Sequence, residues 1–363
     1  MIQLLLHELH QARGARFTEV NGAQAVNDYG DWRAEHAALW QSAGVLDLSF
    51  RSRLCLVGAD RVRFLHGQVT NDVNRLRTGQ GCYAAITNAK GKMEGDLNIF
   101  CLAEELLLDF EPGLAERISR RLEKYIVADD VQVVDAAPHY GLLSVQGPQA
   151  GATVGALKLF ATVPTQPLAF VKVSDPVLGD VYLMNHARLA GKSGYDLFVP
   201  NHGLGALADK LAVAALQAGG RPCGWQALET ARIEAGIPRF GADMDETNIP
   251  LECGLEARAI AYNKGCYIGQ EVINRVHSVG HVNRELRGLR LGDDLKALPQ
   301  PGDKLIYAGK EAGRITSAVA SPRYNANLAL GYVRREANQI GTELTLRTEA
   351  GDSPATLVGL PFA

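Results

Sequence analysis

The sequence predicts an α+β fold of two similar, ferredoxin-like halves followed by a small all-β domain. Three observations carry this expectation. One order of elements (strand, glycine turn, helix, then antiparallel strands) occurs twice between about residues 45 and 235. Beyond about residue 280 the helical period fades, and short apolar runs alternate with Gly, Pro and Asn turns. At 363 residues the chain also exceeds the roughly 100–200 residues usual for one domain. The expected division is an α+β domain over 1–280, with halves at about 45–135 and 136–235 behind an N-terminal helical region, and a second domain over 281–363.

Taken in order, the segment of about 2–43, which includes Trp32 and Trp40, reads as helical, with Met1–Leu6 as a short amphipathic helix. Arg53-Leu54-Cys55-Leu56-Val57 alternates as a strand, Gly58-Ala59-Asp60 turns, and Val62–His66 is amphipathic. Cys82–Thr87 and Gly95–Cys101 are strand-like runs joined by the Asn88–Lys92 turn. Glu105–Phe110 completes an antiparallel set before a helix at about 113–124. The second half repeats the pattern. Leu142–Gln146 is its first strand, and Gly147-Pro148 turns into a helix. Strands near 168–173, 180–185 and 195–199 then precede a helix at about 202–217. In the last domain Leu286–Leu291, Asp303–Tyr307, Leu328–Val333 and Leu344–Arg347 are the strand candidates of a barrel or sandwich, with Leu295–Gly302 as a loop.

Apolar residues make up 47% and charged residues 21%, enough to bury a sizeable core. The net charge of −3 and the lack of long Lys/Arg runs argue against a dedicated nucleic-acid or membrane-surface binder, leaving a small molecule or a protein as the expected partner. Six cysteines without a CxxC pair describe reduced thiols in a cytosolic protein rather than a disulfide framework. Met1–Leu6 lacks a basic start and a cleavage site, and no apolar stretch approaches the roughly 20 residues of a membrane span. His277 and His281 lie four apart, but Gly280 breaks the helix between them, so no metal site is expected.

The segment Lys264-Gly265-Cys266-Tyr267-Ile268-Gly269-Gln270-Glu271 stands apart from this background. A nearby cation and the exposed N–H groups of a helix N-terminus both favour a thiolate, and here Lys264 precedes Cys266 while a helix-like run follows from Gln270. That pattern predicts a reactive or ligand-forming thiol. On residue types alone, Cys266 fits equally well as a small buried hydrophobe between turn-forming glycines.

Several blocks together resemble a known family. Leu46–Ser49, Phe64–Val73, Lys90–Leu97, Ala231–Pro238 and Gly313–Ser317 are similar to the T-protein superfamily, the aminomethyltransferase of glycine cleavage and its relatives. Within it, the Lys264–Glu271 block resembles the signature of the folate-binding YgfZ branch, whose members support iron–sulfur proteins and tRNA thiomodification. The resemblance implies a tetrahydrofolate-binding core of two ferredoxin-like halves, a C-terminal β-barrel, and iron–sulfur client or assembly proteins as partners. The function it implies is auxiliary, iron–sulfur assembly or repair through folate and Cys266, with a tetrahydrofolate-dependent aminomethyltransferase or demethylase using Asp96 as the alternative.

The resemblance also assigns residues. Asp96 matches the carboxylate that lies against the reactive nitrogens of tetrahydrofolate; without the family it reads as a turn or strand-end aspartate. Asp196 matches a carboxylate that pairs with the pteridine edge, and the shorter Asp stands where the family usually has Glu. Arg232 matches the folate-site arginine, with Glu229 and Glu234 close enough in sequence to form a surface ion-pair network instead. Tyr83 matches an aromatic position facing the folate, although a tyrosine alternating along a strand also fits a core. Lys264 completes the expected ligand set beside Cys266.

Overall fold

The computed structural model describes residues 1–189 and 191–362; Ala190 and Ala363, both inside the expected domain ranges, lie outside that description. Its N-terminal segment holds a hairpin as well as helices. The elements are α1 (His7–Ala12), β1 (Arg16–Val20), β2 (Ala23–Asp28) and α2 (Trp32–Gln41). Asn21 and Gly22 turn the hairpin with φ of 48° and 82°, the left-handed pair that a two-residue hairpin turn requires. That dipeptide is the signal a helical reading of 2–43 overlooks. Ile2 forms a bridge with Ala23 instead of starting a helix.

After β3 (Gly44–Asp47), the first half contains β4 (Ser52–Val57), α3 (Arg61–Gln68), β5 (Gln80–Thr87), β6 (Met93–Cys101), β7 (Glu105–Phe110), α4 (Ala115–Glu123) and β8 (Gln132–Asp135). The second contains β9 (Tyr140–Gln146), α5 (Ala150–Ala156), β10 (Phe170–Asp175), β11 (Gly179–Asn185), β12 (Gly194–Pro200), α6 (Asn201–Gln217) and β13 (Arg221–Pro222). Both halves therefore run β-α-β-β-β-α-β. Their sheets share one order, β5-β6-β7-β4-β8 against β10-β11-β12-β9-β3-β13. The difference is β3, which the N-terminal segment inserts antiparallel to β9 and parallel to β13. Val45, Leu46 and Asp47, which sequence order places in the first half, thus belong to the second sheet.

Alternation along the strands gives each sheet two buried faces. Leu97, Ile99, Leu106 and Leu108 pack against Leu65 of α3 and Ile118 and Leu122 of α4. Leu143, Leu183 and Leu197 pack against Val154 of α5 and Leu204 and Leu211 of α6. The opposite faces meet each other, where Phe100, Leu107, Phe170 and Phe198 are buried together. Phe100 stands edge-on to both Phe170 and Phe198, each at 6.1 Å between centroids. Each such side chain stabilises by roughly 1.5–3 kcal/mol. Two residues along the same strand faces, the seam changes character: Asn98 precedes Phe100, Asp109 follows Leu107, and Asp196 precedes Phe198, all three buried. This switch from aromatic to charged packing marks the site.

Helix α7 (Trp225–Glu234), the short α8 (Glu256–Ala259) and α9 (Gln270–Val279) lead to the last domain. Its strands are β14 (Arg284–Leu291), β15 (Lys304–Tyr307), β16 (Lys310–Ser321), β17 (Ala326–Arg334), β18 (Glu343–Thr348) and β19 (Gly351–Val358). They close in the order β14-β17-β16-β15-β18-β19, which makes the domain a barrel and not a sandwich. β16 and β19 supply the two strands needed for closure beyond the four runs legible by alternation. The barrel docks through Leu286, Leu330 and Tyr332 onto Ala85, Met93, Ile233, Phe240 and Met244. No helix among the described residues is long and apolar enough to cross a membrane.

Candidate functional site

At the charged end of the seam is a cleft of about 120 Å³ lined by Arg51, Tyr83, Asp96, Asn98, Glu111, His186, Arg188, Trp225, Glu229, Arg232, Arg239 and Arg258, among others. Strand register brings the first of these together. Antiparallel pairing of β5 with β6 sets Tyr83 opposite Asn98 and Ala85 opposite Asp96. Tyr83 and Asp96 are therefore diagonal neighbours on one face. The Tyr83 hydroxyl donates to Asp96 Oδ2 at 2.7 Å. Asp96 Oδ1 is shut off from solvent and has no hydrogen-bond partner. Burial raises the Asp96 carboxyl to about 6, against the lowering effect of the Tyr83 hydrogen bond. A carboxyl with one oxygen oriented, the other unmet and a titration near neutrality is suited to proton transfer or to holding a cationic nitrogen.

The remaining walls are held by a chain of ion pairs. Arg51 bonds Asp109 at 2.9 Å and Glu111 at 2.6 Å. Arg239 bonds Glu111 at 3.2 Å and Glu229 at 3.5 Å. Arg232 pairs with Glu229 and Asp243 and donates to Ser317 Oγ at 2.9 Å. Asp243 in turn accepts from Thr316 and Ser317 of β16 at 2.6 and 2.7 Å. Arg232 is buried, so its pairs form an internal network and not the surface one that its neighbours in sequence also allow. Trp225, Leu228, Ile237 and Pro238 give the cleft an apolar side. Of these lining residues, sequence reasoning missed Arg51, Asn98, Glu111, His186, Arg188, Trp225, Arg239 and Arg258, each an ordinary residue of its own segment until the fold assembles them.

The structure brings Tyr83, Asp96 and Arg232 to one cleft and leaves three expected residues outside its lining. Asp196 is fully buried, and both its oxygens are occupied. His186 Nδ1 lies 2.8 Å away, and Arg188 adds bonds of 3.2 and 2.7 Å. Burial alone would raise this carboxyl, but Arg188 and His186 hold it far below the usual carboxylate range. The expected direct pairing of Asp196 with a pteridine has no counterpart in the cleft lining, which Asp196 does not join; it positions Arg188 and His186, which do line the cleft.

Lys264 directs its Nζ to the carbonyl oxygens of His66, Val69 and Asn71 at 2.6, 2.7 and 2.9 Å, and burial lowers it to about 8. It is neither a partner of the thiol nor a lining residue. Cys266 is exposed and also lies outside the cleft lining. Gly269 adopts φ of 90°, and an added Cβ there would stand 2.6 Å from Asn88 O. The block is thus a clasp that fastens the 66–71 segment and the β5–β6 turn. Lys264→Met is expected to cost about 1–3 kcal/mol in denaturant unfolding, because three partly buried carbonyls lose a charged donor. Cys266→Ala is expected to leave stability and turnover within twofold of wild type.

With the geometry in place, comparison with known proteins defines the class. The chain matches the GCVT N-terminal domain over residues 6–264 and the glycine cleavage T-protein C-terminal barrel domain over 284–363. It belongs to the glycine cleavage T-protein family. Similar proteins include an aminomethyltransferase of Thermosynechococcus vestitus, 31% identical over 98% of this chain and 94% of that protein. An aminomethyltransferase of Nostoc sp. is 28% identical, with the same coverage of both chains. In fold, the chain is similar to the glycine cleavage system aminomethyltransferase T of Bartonella henselae, with a TM-score of 0.88, 24% identity, and 99% and 98% of the two chains covered. These relatives overturn the expected role in iron–sulfur assembly and its partners. They match essentially the whole chain as aminomethyltransferases, and the thiol on which the auxiliary role depended does not line the cleft.

Proposed function

We propose that this protein is a tetrahydrofolate-dependent transferase of the aminomethyltransferase type, which moves a one-carbon unit from an amine donor to the folate at Asp96. The observation that carries the reading is the buried, unpartnered Oδ1 of Asp96 beside an oriented Oδ2. An unmet buried acceptor is costly, by about 1–3 kcal/mol, unless a ligand donor completes it. Tetrahydrofolate fits this site, since its ring nitrogens offer donors to Oδ1 and its flat ring suits the side formed by Trp225, Leu228 and Ile237. When bound, it supplies the nitrogen that accepts the carbon. Tyr83 fixes the carboxylate, and Asp96 accepts the proton that a nitrogen must lose to become nucleophilic. The ion pairs of Arg51, Arg188 and Arg239 keep the neighbouring carboxylates charged and fixed. A carbon carried as an aminomethyl group is already at the oxidation level of formaldehyde, so it would pass to the folate without redox change: its bonds to the donor break as its bonds to the folate nitrogens form, and the amine leaves with the proton.

Within the family, the Lys264–Glu271 block is the ground for placing the chain on the YgfZ branch, a proposal about descent that leaves the transfer chemistry with Asp96. Calorimetric titration with (6S)-tetrahydrofolate tests the reading. Wild type should bind one equivalent, and Trp225→Ala should weaken binding about tenfold. Absence of binding to wild type would remove the proposal.

A further inference from the structure

The aromatic end of the seam holds a second cavity, of about 270 Å³, which shares no lining residue with the charged cleft. Strand register accounts for it. Pairing of β4 with β7 sets Cys55 beside Leu107 and Val57 beside Glu105, and pairing of β11 with β12 sets Tyr182 beside Phe198. The two sheets meet through Phe100, Phe170 and Phe198. Beyond that contact Val57 and Cys55 are too small to fill the space before the facing tyrosines, so a void remains. Tyr140 and Tyr182 form the wall on the side of the second half, with ring centres 6.3 Å apart. Burial pushes the Cys55 thiol far above its usual range and raises both phenols, so these walls are neutral and unreactive. Glu105 is the exception on an otherwise apolar wall. It meets no cation among the described residues: Lys172, whose Nζ lies 5.6 Å from the centre of the Tyr182 ring, is held by Asp180 at 2.6 Å. Asp135 adds a second carboxylate at the mouth, where Val134 and His139 are also exposed.

We propose that this cavity is a second ligand site, for a small organic cation that carries its ammonium on an aromatic body. Glu105 supplies the counter-charge, and the electron-rich faces of Tyr140 and Tyr182 add cation–π attraction. Leu107 and Phe198, both buried, take the apolar part. A neutral guest of the same shape leaves Glu105 unmatched, and an anion is opposed by both Glu105 and Asp135. The volume lies just below the roughly 300–1,000 Å³ of drug-sized sites, which sets the guest at about one ring with a short side chain. With the thiol and phenols held neutral, the guest is bound and not converted. The proposal is independent of the folate reading, since the two sites have no residue in common.

Calorimetry with three probes of one shape tests it: phenethylamine, the neutral phenethyl alcohol and the anionic hydrocinnamate. Wild type should bind phenethylamine about tenfold more tightly than phenethyl alcohol, and hydrocinnamate more weakly still. Glu105→Gln keeps the shape of the side chain and should abolish the preference. Val134→Arg serves as the variant least able to disturb folding, because Val134 is 41% exposed at the mouth. It sets a fixed cation there and should weaken the amine several-fold while leaving the alcohol within twofold. Trp225→Ala, which alters only the charged cleft, should bind the amine within twofold of wild type. No binding of phenethylamine, equal affinity for all three probes, or a preference that survives Glu105→Gln would overturn the proposal. So would loss of amine binding in Trp225→Ala, which would assign the amine to the cleft.

Discussion

Replacing Asp96 by Asn is expected to lower the transfer rate by roughly 10²–10⁴-fold while changing tetrahydrofolate affinity only a few-fold. The amide keeps the size of the side chain and can still accept the Tyr83 hydroxyl proton, so the cleft retains its shape. It can no longer take a proton or counter a cationic nitrogen. Tyr83→Phe should show a smaller loss, since it leaves the acid in place and removes only the bond to Oδ2. The pH profile separates catalysis from structure. With the carboxyl at about 6 and the ionised form acting as base, the wild-type rate should rise with pH and reach half its maximum near pH 6. Asp96→Asn should flatten that rise. A rate that falls above pH 6 would mean that the neutral acid is the active form.

The same shift has a stability consequence of opposite sense to that of a salt-bridged aspartate. The carboxyl is raised in the folded chain, so the native state keeps a proton that the unfolded chain loses above about pH 4. Stability contributed by this group is present below that pH, is lost as pH rises through about 6, and changes no further beyond. Relative to wild type, Asp96→Asn should therefore gain stability between pH 4 and 7, by an amount on the order of 2 kcal/mol. Denaturant unfolding at both ends of the window reads this directly. A site that costs stability to keep a carboxyl buried is the pattern expected of a functional group and not of a core-filling one.

Why the structure joins Asp96 to Tyr83 in the cleft and keeps Asp196 out of its lining follows from what each depends on. Asp96 and Tyr83 are joined by local register between two sequential strands, and the Asn88–Lys92 turn that sets the register is itself visible in the sequence. The partners of Asp196 are His186 and Arg188, on the link between β11 and β12. Nothing about an isolated Asp on a strand indicates that two cations fold back onto it. Cys266 lies outside the cleft lining for a related reason. Lys264 and the helix start at Gln270 are real, but Lys264 turns its ammonium to three carbonyls of a segment almost 200 residues earlier in the chain. Spacing along the chain cannot report that choice. The two halves and the barrel were legible because they rest on element order and alternation, whereas the N-terminal hairpin and the insertion of β3 depend on one turn dipeptide and on long-range pairing.

The largest stability effect should come from Arg232. Arg232→Met is expected to destabilise the protein by about 3–5 kcal/mol, because it leaves Asp243 buried without its cation. The loss should also be spatially specific. Arg232 stands on α7, pairs with Glu229 on the same helix and Asp243 on the following loop, and reaches Ser317 of the barrel. Through the partly exposed Glu229 and Arg239 it continues to Glu111 and Arg51, so one chain of charges ties the first half to the barrel across the cleft. Arg232→Lys should recover little, since an ammonium cannot meet three acceptors in the planar arrangement that a guanidinium spans. The double variant Arg232→Met with Asp243→Asn should recover a large part of the loss, because the penalty arises mainly from the unpaired charge and not from the absent pair. Hydrogen exchange would locate the damage. Faster exchange in β16 and α7 than in β9 and α6 is the expected result, and uniform loss across both halves would show that Arg232 supports the general core rather than the junction that holds the cleft.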